Sequence, residues 1–103
     1  MLNLANHPQL RLDEEEIAAL TAALEGAPGE AWLFGSRVDP ARRGGDIDLL
    51  LLTDRPAFET SQQVATRFFA RCEERIDVVV LDPARLSAEQ EDFLSRIDKV
   101  RLA

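Results

Sequence analysis

One stretch decides the predicted fold: residues 35–52, with the sequence GSRVDPARRGGDIDLLLL. It begins with a small-residue turn, continues through a polar, glycine-containing loop, and ends in an apolar run that carries Asp46 and Asp48. An apolar run of this length predicts a buried strand. Alternate residues of a strand point to the same face, so the two aspartates would project side by side, where like charges repel each other. A bound divalent metal ion is the simplest physical account of this arrangement.

The composition is that of a small acidic domain. The chain has 103 residues, enough for one domain, and its 46% hydrophobic content is enough for a core. Its net charge of -7 argues against a broad basic platform for nucleic acid or for an anionic membrane. The acidity still permits a small nucleotide held through metal ions, and it leaves room for a basic protein partner.

The single cysteine and the single histidine exclude several kinds of site. Cys72 is the only cysteine, so an intrachain disulfide or a zinc-binding thiol cluster is not expected, and its helical setting suggests a packing role. His7 precedes the first clear element and is expected at the surface, which leaves no histidine for a catalytic triad. The N-terminus is too polar for a signal peptide, and no apolar stretch could span a bilayer. A cytoplasmic protein without a membrane segment is therefore expected.

Three helices and three or four strands are predicted from the periodicity. Asp13 with Glu16, and Ser87 with Gln90, have the spacing of capping boxes, whereas Thr60 or Ser61 could cap the middle helix. Gly26 suits the end of the first helix. The predicted helices cover residues 14–25, 58–74 and 88–97, and the predicted strands cover residues 31–34, 46–52 and 75–81. Residues 100–102 alternate, and are expected to form a short last strand or a tail that faces a partner.

This order of elements predicts an α+β fold of two layers. A small mixed sheet would have helices packed on one face, and its uncovered face would carry the aspartates. Asp77 enters the third strand much as Asp46 and Asp48 enter the second. If these strands are neighbours, the three carboxylates converge at one edge of the open face.

Such a carboxylate group suits phosphoryl transfer. Magnesium prefers oxygen ligands, and two such ions about 3.5–4 Å apart can clamp the attacking and leaving oxygens of an in-line displacement. Asp46 and Asp48 would hold the metals, and Asp77 would complete one site and help to deprotonate an attacking hydroxyl. Backbone amides at Gly35 and the hydroxyl of Ser36 would bind the phosphate tail. Arg37 would neutralise further charge on it.

Each of these features has an ordinary alternative. A Gly-Ser pair after a strand is usually only a turn, and an Asp-Ile-Asp sequence at a strand start often lies in water. Asp77 could simply pair with Arg75, and Arg42 and Arg43 could lie on a solvated loop. The ordinary explanation is favoured for each feature taken alone. Their occurrence together, in this order, favours the metal-dependent site.

The combination resembles a known family. The segments LFGSR, GGDIDLLLL and RIDVVVL, within residues 32–81, resemble the polymerase-beta-type nucleotidyltransferase domain in its minimal single-domain form, which would then occupy residues 1–103. The resemblance implies two Mg²⁺ ions on Asp46, Asp48 and Asp77, and phosphate binding by Gly35 and Ser36. It also implies transfer of a nucleoside monophosphate, AMP from ATP, to a hydroxyl group.

The resemblance also suggests a partner. Minimal members of the family are often encoded beside a small helical HEPN-type protein, and such pairs resemble toxin–antitoxin systems in which the transferase adds AMP to a tyrosine of the toxin. A second domain for a base, a tRNA end or an antibiotic is not expected in a single domain of 103 residues, and neither is extended nucleic-acid binding. The acceptor would then be recognised by a partner surface or by an unusually short pocket. Two alternatives remain: a non-catalytic antitoxin that binds its partner by contact, and nucleotidylation of a small molecule. A homo-oligomer and a hetero-oligomer are both compatible with so small a domain.

Overall fold

The structure is a computed structural model, and it describes residues 10–27, 29–39, 41–42 and 45–103. The predictions for residues 1–9, including His7, and those for Pro28, Pro40, Arg43 and Gly44, lie outside the described residues. The elements in chain order are α1 (Glu14–Leu24), β1 (Glu30–Phe34), a 3-10 turn (Gly35–Val38), β2 (Ile47–Leu52), α2 (Ala57–Phe69), β3 (Ile76–Leu81), α3 (Ala88–Arg96) and β4 (Lys99–Arg101).

The four strands form one mixed sheet in the order β3-β2-β1-β4. β1 is antiparallel to both β2 and β4, whereas β2 and β3 are parallel. β2 and β3 are therefore neighbours, and both enter the sheet at the same edge. The predicted fold class, a small mixed sheet with helices, is confirmed. The expected last strand is also present, and it pairs with β1 at the side of the sheet away from β3.

The larger part of the core lies between the sheet and helices α1 and α2. Alternate residues of β2 point to this face because side chains alternate along a strand. Leu20 of α1 and Phe68 of α2 are completely buried here. The β2 residues that pack against them are Ile47, Leu49 and Leu51. Cys72 joins the same cluster, which confirms its predicted packing role, and burial raises the pKa of its thiol.

The opposite face carries a smaller apolar cluster that α3 partly covers. Phe34 and Leu50 of the sheet pack with Phe93 and Ile97, and the rings of Phe34 and Phe93 meet edge to face with centroids 5.6 Å apart. Helices α1 and α2 thus cover one face as predicted, and α3 packs on part of the face that was expected to be open. Asp48 lies opposite Phe34 in the register, so it shares this second face.

The helix ends agree with the sequence at two of three N-termini. Both predicted capping boxes are present: Asp13 with Glu16, and Ser87 with Gln90. The predicted cap of α2 is wrong, because this helix begins after Pro56 without a side-chain cap, and Thr60 is buried in its second turn. Pro56 occupies the N-cap position with a φ of -55° and a non-helical ψ of 125°, and the fixed φ of proline is compatible with the entry to a helix. No helix in the described part of the chain combines the length and apolar character needed to cross a membrane.

Candidate functional site

Three carboxylates gather where β2 and β3 enter the sheet, and we call Asp46, Asp48 and Asp77 the acidic edge. Asp48 and Asp77 are direct register partners on parallel strands, whose backbones lie about 4.8 Å apart. Asp46 precedes β2 by one residue. Burial raises the pKa of the Asp48 carboxyl above its ordinary value of 3.8, and the negative charges of Asp77 and then Asp46 raise it further. The register thus places Asp77 beside Asp48, and Asp46 lies two residues before Asp48 at the same end of the sheet.

The acidic edge has the donor chemistry for a hard cation. Among the described residues, the ion pairs involve none of its three carboxylates, and the suggested pair between Asp77 and Arg75 does not form. In the same part of the chain, no group of three or more Asp, Glu, His or Cys side chains is arranged to hold a metal ion. Carboxylates are ligands that magnesium prefers, and at this edge the ion would need water or substrate phosphate oxygens to complete its coordination.

The Gly35-Ser36 turn lies directly beside the acidic edge. Gly35 has a φ of +76°, and a β-carbon added to it would collide with Oδ2 of Asp48. Gly45 has a φ of +89°, and a β-carbon there would collide with the hydroxyl oxygen of Ser36. Both residues adopt a left-handed backbone conformation that glycine reaches without strain. The two glycines therefore allow the turn, the loop before β2 and the Asp48 carboxylate to pack together.

Arg37 has a different environment from the one expected of a phosphate ligand. It is only 8% exposed, and its Nη1 donates to Oε1 of Glu16 at 2.9 Å and to the carbonyl oxygen of Arg11 at 2.7 Å. Its Nε donates to the carbonyl oxygen of Gly45 at 3.1 Å. All these partners belong to the protein itself. Arg37 therefore supports the loop between the turn and β2, and we do not retain it as a phosphate ligand.

Two residues that support the Gly35-Ser36 turn, Arg11 and Glu16, are not predicted as site residues from the sequence. The guanidinium of Arg11 donates to the carbonyl oxygens of Ser36, at 2.7 Å, and Asp39, at 3.0 Å. The sequence pattern predicts only a capping-box role for Glu16, but the same Oε1 atom accepts hydrogen bonds from the Asp13 amide and from Arg37. No local pattern signals this double role, because the partners are 21 residues apart along the chain.

On the side of the turn away from β3 lies an open cavity of about 620 Å³, which we call the Gly35 cavity. Its wall includes two cationic side chains, Arg42 and Lys99, and two acidic ones, Asp39 and Asp98. The other lining residues are Phe34, Gly35, Val38, Ile97 and Val100. The ammonium group of Lys99 lies 5.2 Å from the centre of the Trp32 ring. Lys99 was not predicted as a site residue, although it is the only lysine in the sequence.

Comparison with known proteins adds no assignment. The chain matches no protein-family model, and no curated protein matches it.

Proposed function

We propose that this chain is a metal-dependent nucleotidyltransferase that transfers AMP from ATP to a hydroxyl group of a partner protein. The observation that carries the proposal is the packing of the Gly35-Ser36 turn against Asp48, which in turn is paired in register with Asp77. A phosphate-binding turn and a carboxylate group must be adjacent if both are to act on one nucleotide. The three motif segments that resemble polymerase-beta-type nucleotidyltransferases support the same activity.

The acidic edge would hold the magnesium ions. When bound, the ions supply positive charge that offsets the phosphate oxygens and the leaving pyrophosphate. The surroundings of Asp48 suit this role, because burial and its acidic neighbours disfavour the bare carboxylate, as the raised pKa indicates. A carboxylate that is unfavourable alone gains most from a nearby cation.

Protein groups perform the remaining steps. Amides of the turn and the Ser36 hydroxyl donate hydrogen bonds to the phosphate tail. Asp77, which is exposed, accepts the proton of the attacking hydroxyl. A bond forms between the acceptor oxygen and the α-phosphorus, the bond from the α-phosphorus to the bridging oxygen breaks, and pyrophosphate leaves with that oxygen.

The acceptor that we propose is a hydroxyl of a small helical HEPN-type protein, which would make this chain the antitoxin of a HEPN/MNT pair. This part of the proposal is supported by the motif resemblance. It is compatible with the net charge of -7, which suits a basic partner surface.

A contact-only antitoxin is the second candidate, and one observation favours it. Phe58 and Phe69 of α2 are 68% and 51% exposed, the most exposed large hydrophobic side chains among the described residues. They are eleven residues apart, which places them about 20° apart around a helix of 3.6 residues per turn. An exposed aromatic pair on one helix stripe suits contact with another protein.

Intact mass spectrometry of the partner separates the two candidates. The protein encoded beside this chain is incubated with the chain, ATP and Mg²⁺, and the proposal expects a mass increase of one AMP group. The matched control is the double variant Asp46→Asn/Asp48→Asn, which should give no increase. Modification by the double variant would refute the catalytic assignment. Neutralisation of the partner by both proteins, without any mass change, would favour the contact-only antitoxin.

A further inference from the structure

We propose that the Gly35 cavity binds the polyphosphate tail of the nucleotide and that Lys99 is its main cationic ligand. The inference rests on the proposed function, since it names the place of the substrate phosphates. It begins from the position of Arg37, whose guanidinium is occupied by Glu16 and by backbone carbonyls. The proposed magnesium ions would offset charge near the acidic edge, and a polyphosphate tail that extends beyond them would gain from cationic protein groups elsewhere in the fold.

The sheet register places Lys99 in line with the acidic edge. Asp77 of β3 pairs with Asp48 of β2, Asp48 pairs with Phe34 of β1, and Phe34 pairs with Lys99 of β4. Directly opposed residues of neighbouring strands point to the same face. Asp77, Asp48, Phe34 and Lys99 thus form one row across the sheet, with two carboxylates at one end and an ammonium at the other.

The cavity and the acidic edge share Gly35 as a common wall. Gly35 lines the cavity on one side, and its α-carbon is covered by the carboxylate of Asp48 on the other. The Cα atoms of Asp48 and Lys99 are two strand spacings apart, or about 10 Å. A polyphosphate whose α-phosphate lies at the acidic edge would extend past Gly35 towards Lys99.

Lys99 lines the Gly35 cavity, and its ammonium also contacts an aromatic ring of β1. Its ammonium lies 5.2 Å from the centre of the Trp32 ring, and the cation–π attraction limits the positions of a long, flexible side chain. Arg42 lines the same cavity and supplies a second positive charge. Of the two acidic lining residues, Asp39 accepts a hydrogen bond from the Ala41 amide, whereas Asp98 is exposed. Replacing Asp98 by Asn should therefore strengthen anion binding.

Because Lys99 is the only lysine, its side chain can be observed selectively. Reductive methylation of the full chain with ¹³C-formaldehyde keeps the positive charge and labels two amines, Lys99 and the N-terminal amine. The second signal serves as an internal reference. Titration with inorganic tripolyphosphate, and separately with ATP and Mg²⁺, should shift the Lys99 signal and leave the reference unchanged.

Affinity measurements on variants test the same site without methylation. By calorimetry, Lys99→Gln should bind tripolyphosphate about 10-fold more weakly, the loss expected for one hydrogen bond to a charged group. Lys99→Arg should keep most of the affinity, and Asp98→Asn should bind more tightly. The matched control is Arg85→Gln, which removes one charge from an exposed residue just after β3, at the opposite end of the sheet, and should bind like the wild type.

The outcomes separate this inference from the proposed function. An unmoved Lys99 signal, or equal affinities of Lys99→Gln and wild type, would overturn the phosphate site even if AMP transfer occurs. A shifted signal together with weaker binding by Lys99→Gln would support the site even if no acceptor is modified. The double variant Asp46→Asn/Asp48→Asn should lose AMP transfer and still show the Lys99 shift with tripolyphosphate.

Discussion

The carboxylate of Asp48 lies against the α-carbon of Gly35, so closely that a β-carbon on Gly35 would overlap Oδ2 of Asp48. The two residues belong to different elements, the 3-10 turn and β2, and they meet because Phe34, at the end of β1, pairs with Asp48. Gly35 therefore meets two requirements at once. It adopts a positive φ, and it leaves space for an acidic side chain that the proposed chemistry needs.

Substituting Gly35 should cost both stability and activity. A left-handed backbone conformation costs a residue with a β-carbon about 1–2 kcal/mol, and in Gly35→Ala the displacement of Asp48 adds to this cost. Gly26→Ala is the matched control, because Gly26 has a φ of +73° and open space around it. In urea unfolding, Gly35→Ala should lose more stability than Gly26→Ala, and only Gly35→Ala should lose AMP transfer. Equal losses in the free energy of unfolding would show that the displacement of Asp48 adds no cost to Gly35→Ala.

Asp48→Asn should stabilise the chain at neutral pH. The pKa of Asp48 is raised above 3.8 in the folded state, so the folded chain holds this proton more tightly than the unfolded chain. Its contribution to stability is therefore greatest at low pH and falls as pH rises through the interval between the unfolded and folded pKa values. Relief of the cross-strand repulsion should add about 0.2–1 kcal/mol at pH 7.

Urea unfolding of wild type and Asp48→Asn, from neutral pH down to the acidic range, measures whether the substitution raises the free energy of unfolding. The gain from the substitution should shrink as pH falls towards 3.8, where more than half of the folded wild type carries a protonated Asp48 because the pKa of this carboxyl is raised. A variant less stable than wild type at pH 7 would mean that the ionised carboxylate has a stabilising partner.

Magnesium should stabilise the folded wild type. A ligand that binds only the folded state adds about 1.4 kcal/mol at ten times its Kd, so Tm should rise with Mg²⁺ concentration. The double variant Asp46→Asn/Asp48→Asn should show no such rise, because it keeps only one of the three carboxylates of the acidic edge, and one is too few to hold the ion. Differential scanning calorimetry with added Mg²⁺, and with EDTA as reference, measures the effect. An equal rise in both proteins would place the ion elsewhere.

The buried pair of Arg37 and Glu16 should be structural. Glu16 is 3% exposed, and Arg37→Met would leave its carboxylate buried without a cation, at a cost of about 3–5 kcal/mol. Glu16→Gln should cost less, since the amide oxygen can still accept from Arg37 and from the Asp13 amide. The double variant should be more stable than the sum of the single losses predicts.

Chemical unfolding of Arg37→Met, Glu16→Gln and the double variant gives the free energies of unfolding for this double-mutant cycle. If Arg37 were instead a phosphate ligand, Arg37→Met would leave the unfolding free energy unchanged and weaken nucleotide binding alone. That result would restore the role first expected for this arginine.

Features within one element were predictable because they depend on neighbours in the sequence. The bounds of α1, β1, β2 and β3 agree with the predictions to within one residue at each end, since apolar periodicity and capping residues act locally. The predicted end of α2 is wrong by five residues, because the chain turns after Phe69 to bury Cys72. The pattern around Cys72 is compatible with a longer helix, and packing against the core decided where the helix ends.

The sequence by itself determined the carboxylates, the Gly-Ser turn and the strands that carry them, since residue type and alternation set these features. Only the tertiary structure decided which charges meet. It brought β2 beside β3, so that Asp48 faces Asp77, and it brought β4 beside β1, so that Lys99 lies beside the turn. It also buried Arg37 against Glu16. Strand order and long-range ion pairs depend on how all elements share one core, and no local pattern encodes that arrangement.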